Sequence, residues 1–210
     1  KASLQNGARM FQNYCLGCHQ MQYQRYARTF RDLDIPEDVG MENLMFTGEK
    51  VGDHIKNNMA TKDAEKWFGA APPDLTNVAR VRGPDWIYTY LRSFYADPTR
   101  PFGVNNEVFP LVGMPHVLQE LQGIPHKKHE TLMVDGESKE VYVGIVADGS
   151  GELSPEEYDR AVADLVPAGA RAGLAAGIPE CPGRGHRGVA AADRGTGDRG
   201  VAAIGGGVSQ

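Results

Sequence analysis

Cys15-Leu16-Gly17-Cys18-His19 is the stretch from which the rest of the sequence is read. Two thiols three positions apart, with an imidazole directly after the second, fit covalent attachment of haem through two thioether bonds. The histidine then becomes a proximal ligand to the iron. Zinc sites and thiol–disulfide pairs also use Cys-x-x-Cys. A tetrahedral zinc site takes about four ligands, and the remaining cysteine, Cys181, lies far away in a stretch of different composition. A bare disulfide has no need of His19 directly after Cys18. The pattern therefore favours one covalent haem c per chain, carried by Cys15 and Cys18 and ligated by His19.

A chain of 210 residues allows one domain of ordinary size with an appendage. Its formal net charge of −5 argues against a nucleic-acid binder and tolerates a basic protein partner. No run of about 18 apolar residues is present, so no membrane-spanning helix is expected from the sequence as it stands. Lys1-Ala2-Ser3 runs straight into a helical pattern with no signal peptide and no initiating Met, which reads as a processed or trimmed start.

Working outward, Ser3 is the expected N-cap of a first helix carrying Leu4, Ala8 and Phe11 and ending at Tyr14. Gly7 costs about 1 kcal/mol inside a helix, so it is either packed closely by another element or merely tolerated. Tyr23, Tyr26 and Phe30 form a helix-compatible stripe over 20–31, and 50–59 reads as a short helix with Val51 and Ile55 inward. Tandem Pro72-Pro73 forces an extended backbone, suited equally to an ordinary loop and to a flat apolar surface such as a haem edge. The strongest helix spans 84–95, with proline in its first turn and Ile87, Tyr90, Leu91 and Phe94 in one stripe; Asp97-Pro98 stops it. Residues 99–115 are rich in Pro, Gly and Asn and read as loop, with Phe102, Phe109 and Leu111 as anchors. Asp135-Gly136 between two β-prone runs predicts a small hairpin over 131–145. Ser154-Pro155-Glu156-Glu157 is a capping box. The helix it opens shows Tyr158, Ala161, Val162 and Leu165 on one face, and the first helix at Gly7 is a candidate partner for it. The pattern as a whole is all-α, with long loops and a small β-hairpin insertion.

The composition changes at Pro167. The last 44 residues hold 12 Gly, 10 Ala and five Arg, with no Phe, Trp, Tyr, Met or Lys. Such a stretch buries too little apolar surface to offset its ordering entropy, so 167–210 is expected to be a disordered tail. Without its five Arg and three acids, the preceding 166 residues carry 17 basic and 24 acidic groups.

A haem either takes a second axial ligand, for electron transfer, or leaves that position open for ligand chemistry. Candidates are Met10, Met21, Met41, Met45, Met59, Met114 and Met133, and His54, His116, His126, His129 and His186. Met114 stands out because Gly113 and Pro115 frame it in a loop whose backbone can approach a haem closely. His116, two positions on, is its main rival.

Asn13-Tyr14-Cys15-Leu16-Gly17-Cys18-His19, Ala71-Pro72-Pro73-Asp74-Leu75, Val78-Ala79-Arg80 and Phe109-Pro110-Leu111-Val112-Gly113-Met114-Pro115, in that order and spacing, resemble the cytochrome c1 family. The resemblance covers residues 1–166 and implies a cytochrome c-type haem domain. It implies that Cys15 and Cys18 carry the thioethers, that His19 and Met114 are the axial ligands, that Pro72 and Pro73 lie along the haem, and that Arg80 pairs with a haem propionate; Arg82 is easily confused with it. The implied role is electron transfer from a Rieske iron–sulfur protein to a soluble cytochrome c. The setting would be a ubiquinol–cytochrome c reductase with cytochrome b, at the periplasmic face of a bacterial inner membrane. In that family the last helix leads to a C-terminal transmembrane anchor, in whose place this chain has the Gly/Ala/Arg-rich tail. Gly, Ala, Arg and Pro all have GC-rich codons, so the tail reads as an out-of-frame translation of a GC-rich gene. An apolar run of about 20 residues in another frame is the expected signature. A soluble c-type carrier for another oxidoreductase and a haem peroxidase with an open sixth site are the alternatives.

Overall fold

In the computed structural model, which describes residues 1–134 and 137–173, the first and last helices form the frame on which the rest is hung. Helix α1 (Ala2–Met10) buries Gly7, Ala8 and Met10. It passes without a break into a single π-helical turn, Phe11–Cys15, where the Leu16 amide reaches back to the Phe11 carbonyl at 3.0 Å. Helix α8 (Pro155–Gly173) crosses α1 at Gly7. A Cβ added there would stand 2.1 Å from the Asp164 carbonyl oxygen and 2.6 Å from the Ala168 Cβ. Gly7 is thus packed by the helix that the capping box opens. The box itself forms: the Ser154 amide donates to Glu157 Oε2 at 2.9 Å, and the Glu157 amide donates to Ser154 Oγ at 3.3 Å. The Ser154 amide and the Ser154 hydroxyl, which donates to the same oxygen at 2.8 Å, hold Glu157 below the usual carboxylate range.

Ser3 is not the N-cap. The helix starts two residues earlier than a Ser3 cap would give, at Ala2 with Lys1 as the cap, and the Ser3 hydroxyl donates to the Asp164 carboxylate, whose other oxygen accepts from Asn6 Nδ2 at 2.9 Å. The tail boundary expected at Pro167 also shifts, because α8 carries Pro167 inside it and runs on to Gly173. Proline denies the helix one amide, but the next residue, Ala168, is buried against Gly7, which gives the continuing turn a tertiary partner. The rest of the expected tail, 174–210, with Cys181 and His186, lies outside the described residues.

Two segments read as helix are partly strand. Residues 20–31 divide into β1 (Met21–Arg25) and α2 (Tyr26–Asp32), leaving Tyr23 71% exposed while Tyr26 and Phe30 are buried with ring centroids 5.9 Å apart. Residues 50–59 hold a turn whose Glu49 and Lys50 amides both donate to Asp53 Oδ2 at 2.9 Å. After it comes β2 (His54–Ile55), antiparallel to β1 with Ile55 opposite Met21. Ile55 is 1% exposed, so its inward direction holds on a different backbone. Here the backbone partners offered by neighbouring strands override a helical spacing.

Helices α3 (Glu37–Leu44), α4 (Thr61–Phe68) and α5 (Val78–Arg82) lead to α6 (Pro84–Arg92), which starts on its proline as expected. It stops before Asp97-Pro98: Ser93 Oγ bonds the Thr89 carbonyl at 2.5 Å, and Phe94 enters β3 (Phe94–Ala96). Strand β4 (Val104–Asn106) pairs with β3 inside the stretch read as loop. A short α7 (Gln119–Gln122) precedes the hairpin β5 (Pro125–Val134) and β6 (Glu137–Ala147), longer than the expected 131–145. Its turn residues, Asp135 and Gly136, lie outside the described residues. The fold is therefore helical in its body, with the expected hairpin, and it carries three two-stranded antiparallel sheets in all among the described residues, two more than the all-α reading with one hairpin allowed. Tyr158 ties α8 to α6 by donating to the Leu91 carbonyl at 2.9 Å, and the neighbouring Asp159 pairs with Arg92 at 2.6 Å.

Candidate functional site

The π turn delivers the Cys-x-x-Cys-His motif at the end of α1. Cys18 and His19 both donate their amides to the Cys15 carbonyl, at 3.1 and 2.8 Å, closing one tight turn around the two thiols and the imidazole. Leu16 between them is 2% exposed and plugs the turn into the core. Both thiols are free. Burial, with the neighbouring Cys18, pushes the Cys15 thiol up to about 12, and burial raises Cys18 as well. His19 Nδ1 lies 2.8 Å from the Pro73 carbonyl. A carbonyl only accepts, so Nδ1 carries the proton and Nε2 is left with the open lone pair, the arrangement by which an outer partner orients a metal-ligating histidine. Burial lowers the His19 pKa, partly offset by Pro73 and by Asp74; the neutral ring is the ligating form.

The Pro72-Pro73 segment is stapled beside the residues after the motif. Leu75 donates its amide to the Gln20 carbonyl at 2.8 Å. Asp74 accepts from the Gln22 amide at 2.8 Å and from the Thr76 amide at 2.9 Å. Pro72 is half-buried and Pro73 exposed, and what Pro73 presents to His19 is its carbonyl.

Met114 lies on a loop that reaches the same segment. A Cβ on Gly113 would meet the Phe68 carbonyl at 2.8 Å, so the residue before Met114 must be glycine for the loop to lie against the chain leading into Pro72-Pro73. The Met114 side chain is half-buried, and its sulfur accepts from the Tyr90 hydroxyl at 3.3 Å. Burial raises the Tyr90 hydroxyl to about 12, so it remains a donor at neutral pH. Side-chain hydrogen bonds hold the loop. Asn106, fully buried, accepts the Val108 and Phe109 amides at 2.9 and 3.1 Å and donates to the Tyr90 carbonyl at 2.8 Å. Leu111 sits at φ 62°, a conformation that costs a non-glycine residue of order 1–3 kcal/mol. Asn105 Oδ1 accepts its amide at 2.9 Å, and Arg100 donates to its carbonyl at 2.9 Å.

The rival His116 is buried, with its ring stacked on Phe94 at 4.9 Å and 12°, and burial lowers its pKa to about 4. Met10 and Met21 are each 3% exposed in the core, and Met133 stands 72% exposed on the hairpin. Arg80 is exposed near the end of α5, and the Arg82 guanidinium lies 4.9 Å over the Trp86 ring. Beside Leu16 and Gly17, and apart from His19 and Met114, an open cavity of about 500 Å³ is lined by Gln12, Asn57, Met59 and Trp67 among others. Gln12 Oε1 and Asn57 Nδ2, both buried, have no protein hydrogen-bond partner.

Sequence reasoning missed Tyr90, Asn105, Asn106 and Arg100 as parts of this site. The available signal was Asn105-Asn106 itself, short amides within a Gly/Pro-rich stretch, which commonly bond nearby backbone. Among the described residues no three His, Cys, Asp or Glu converge on a metal position. Among them also, no helix is long and apolar enough to cross a membrane. Free paired thiols and an oriented neutral imidazole on one turn are the donor set that covalent haem requires.

Residues 1–123 match the Cytochrome C1 family. The cytochrome c1 of Allochromatium vinosum is 53% identical over 169 residues, covering 79% of this chain and 67% of that protein. The ammonia monooxygenase gamma subunit of Nitrosomonas europaea is 45% identical over 166 residues, covering 79% and 66%. The cytochrome c1 of Rhodospirillum rubrum is 33% identical over 114 residues, covering 45% and 41%. The chain spans about two thirds of the length of the first two relatives. With this match laid over the Cys-x-x-Cys-His turn, the chain belongs to the cytochrome c1 family, whose haem c is covalently bound.

Proposed function

We propose that this chain relays single electrons from a Rieske iron–sulfur protein to a soluble cytochrome c, as the haem subunit of a ubiquinol–cytochrome c reductase that also contains cytochrome b. Haem c supplies the one-electron couple, and no bond is made or broken by the protein. Cys15 and Cys18 would hold it through thioethers, and His19 and Met114 would ligate its iron. The observation that carries the reading is His19 Nδ1 at 2.8 Å from the Pro73 carbonyl, which leaves Nε2 free to ligate and orients the ring.

A thioether opposite a histidine raises the potential relative to a second imidazole, which suits a high-potential carrier. Arg80 offsets the charge of a haem propionate, and Pro72 and Pro73 line the haem edge. The surplus of acids in residues 1–166 favours a basic docking partner. The site faces the periplasm, with the membrane reached through the complex or an anchor.

Solubilised membranes should yield the chain together with cytochrome b and the Rieske protein. The ferric thioether-to-iron charge-transfer band should vanish in Met114→Leu, and its persistence there would remove Met114 from the ligand set. Arg80→Gln should lower the midpoint potential more than Arg82→Gln; the reverse order would move the propionate role to Arg82. The Nitrosomonas europaea relative named as an ammonia monooxygenase subunit supports a second reading, a carrier serving another oxidoreductase. Co-purification with such an enzyme, and with no cytochrome b, would select it.

A further inference from the structure

Trp86, Tyr90 and Phe94 recur every four positions, so they share one stripe of α6 and its exit. Their rings are in contact. Trp86 and Tyr90 stack at 5.0 Å and 9°, and Phe94 meets Tyr90 edge-on at 5.3 Å and 67°. The Arg82 guanidinium lies 4.9 Å over the Trp86 ring and extends the stack by one member. The Tyr90 carbonyl accepts from buried Asn106, which also holds the loop that carries Met114. Ring and backbone of Tyr90 are both fixed, and the hydroxyl ends 3.3 Å from the Met114 sulfur.

A thioether sulfur has two lone pairs. One serves an axial bond, and the other remains to accept a phenol proton. A donor on that second pair draws density from the sulfur and weakens its donation, which costs a ferric centre more than a ferrous one. Hydrogen bonds to the ligand shell are among the means by which proteins set haem potentials.

We propose that Tyr90 is a positioning residue for the sixth ligand: its hydroxyl seats the Met114 sulfur and raises the midpoint potential, and the Arg82–Trp86 stack with Phe94 holds its ring in place. This rests on the assignment of Met114 as that ligand.

The test is Tyr90→Phe in the holoprotein, read by redox titration and by the ferric thioether charge-transfer band. The variant keeps the ring contacts and deletes only the hydroxyl. The ferric form should gain about threefold to tenfold over the ferrous, an upper limit set by one hydrogen bond. That corresponds to a potential lower by about 30–60 mV, at 59 mV per tenfold for one electron. Site-specific 3-fluorotyrosine at position 90, a stronger donor, should move the potential upward, and it serves if Tyr90→Phe does not accumulate. A lowered potential with the band retained supports the role, as does loss of the band from a variant whose far-ultraviolet circular dichroism is unchanged. An unchanged potential with the band intact, or a rise in Tyr90→Phe, overturns it. A band that survives Met114→Leu refutes the ligand assignment separately and takes the proposal with it.

Discussion

Replacing Gly7 by alanine sets two effects of opposite sign against each other. Helix propensity alone favours the change by about 1 kcal/mol. The geometry opposes it: the new methyl would lie 2.1 Å from the Asp164 carbonyl oxygen and 2.6 Å from the Ala168 Cβ. The nearer of these is backbone, which cannot rotate aside, so α1 and α8 must separate and loosen the buried contacts of Tyr158, Val162 and Leu165. Overpacking of this kind costs about 1–3 kcal/mol. A site closed by backbone belongs at the upper end, leaving a net loss of about 1–2 kcal/mol. In a chain of this size that lowers the melting temperature by roughly 2–8 °C. Urea unfolding of the holoprotein, followed by circular dichroism, measures it directly. Gly52→Ala, where an added Cβ meets nothing within 4 Å, is the control and should be near neutral. Ala168→Gly in the Gly7→Ala background should restore only part of the loss, because the carbonyl clash remains. A Gly7→Ala protein as stable as the parent, or more so, would refute the close crossing of the two helices.

Asn106→Ala should destabilise by about 2–3 kcal/mol, since it strips partners from the Val108 and Phe109 amides and from the Tyr90 carbonyl in a fully buried setting. Because the same side chain shapes the Met114 loop, the charge-transfer band should weaken at temperatures where the fold is intact; a full-strength band would uncouple the two. Asp148 is held down to about 2 by the Ser150 hydroxyl and amide and the Ile124 amide, with a smaller contribution from His126. A carboxyl depressed in the folded state adds stability that is complete above the ordinary carboxylate pKa and lost as pH falls. The stability gap between the parent and Asp148→Ala should therefore be constant near neutrality and close between about pH 4 and pH 2. A gap that does not change with pH would show that the loop gains nothing from the ionised form.

What could be read in advance was chemistry and local signals. The Cys-x-x-Cys-His turn, the capping box at Ser154 and the proline start of α6 each depend on a few neighbouring residues with one strong physical preference, whereas Gly7 left close packing and mere tolerance open until Asp164 and Ala168 were seen against it. The failures share a different cause. Tyr23, Tyr26 and Phe30 have helical spacing, yet the first of them lies in a strand, because Asp74 and Leu75, some fifty positions later, bond the backbone of Gln20 and Gln22. The turn at Asp53 and the strand after it likewise depend on Met21 as a partner. Tyr90 read simply as one member of an apolar stripe, because the sulfur it meets is 24 positions away. Long-range hydrogen bonds leave no periodic trace in a single sequence.

The hairpin β5–β6 carries a practical consequence. Its root is fixed: Pro125 is buried, Lys127 lies 4.1 Å over the Tyr95 ring, and Tyr142 bonds Glu107 at 2.5 Å. Beyond the His129–Tyr142 pair, five residues of β5 continue outward with their side chains exposed, a reach of about 17 Å at the rise of an extended strand. That stretch is a mast with a rigid foot. A spin label or fluorophore at Thr131 or Lys139 would report the orientation of the domain by distance measurement, at positions that touch neither the thiols, the imidazole nor the sulfur.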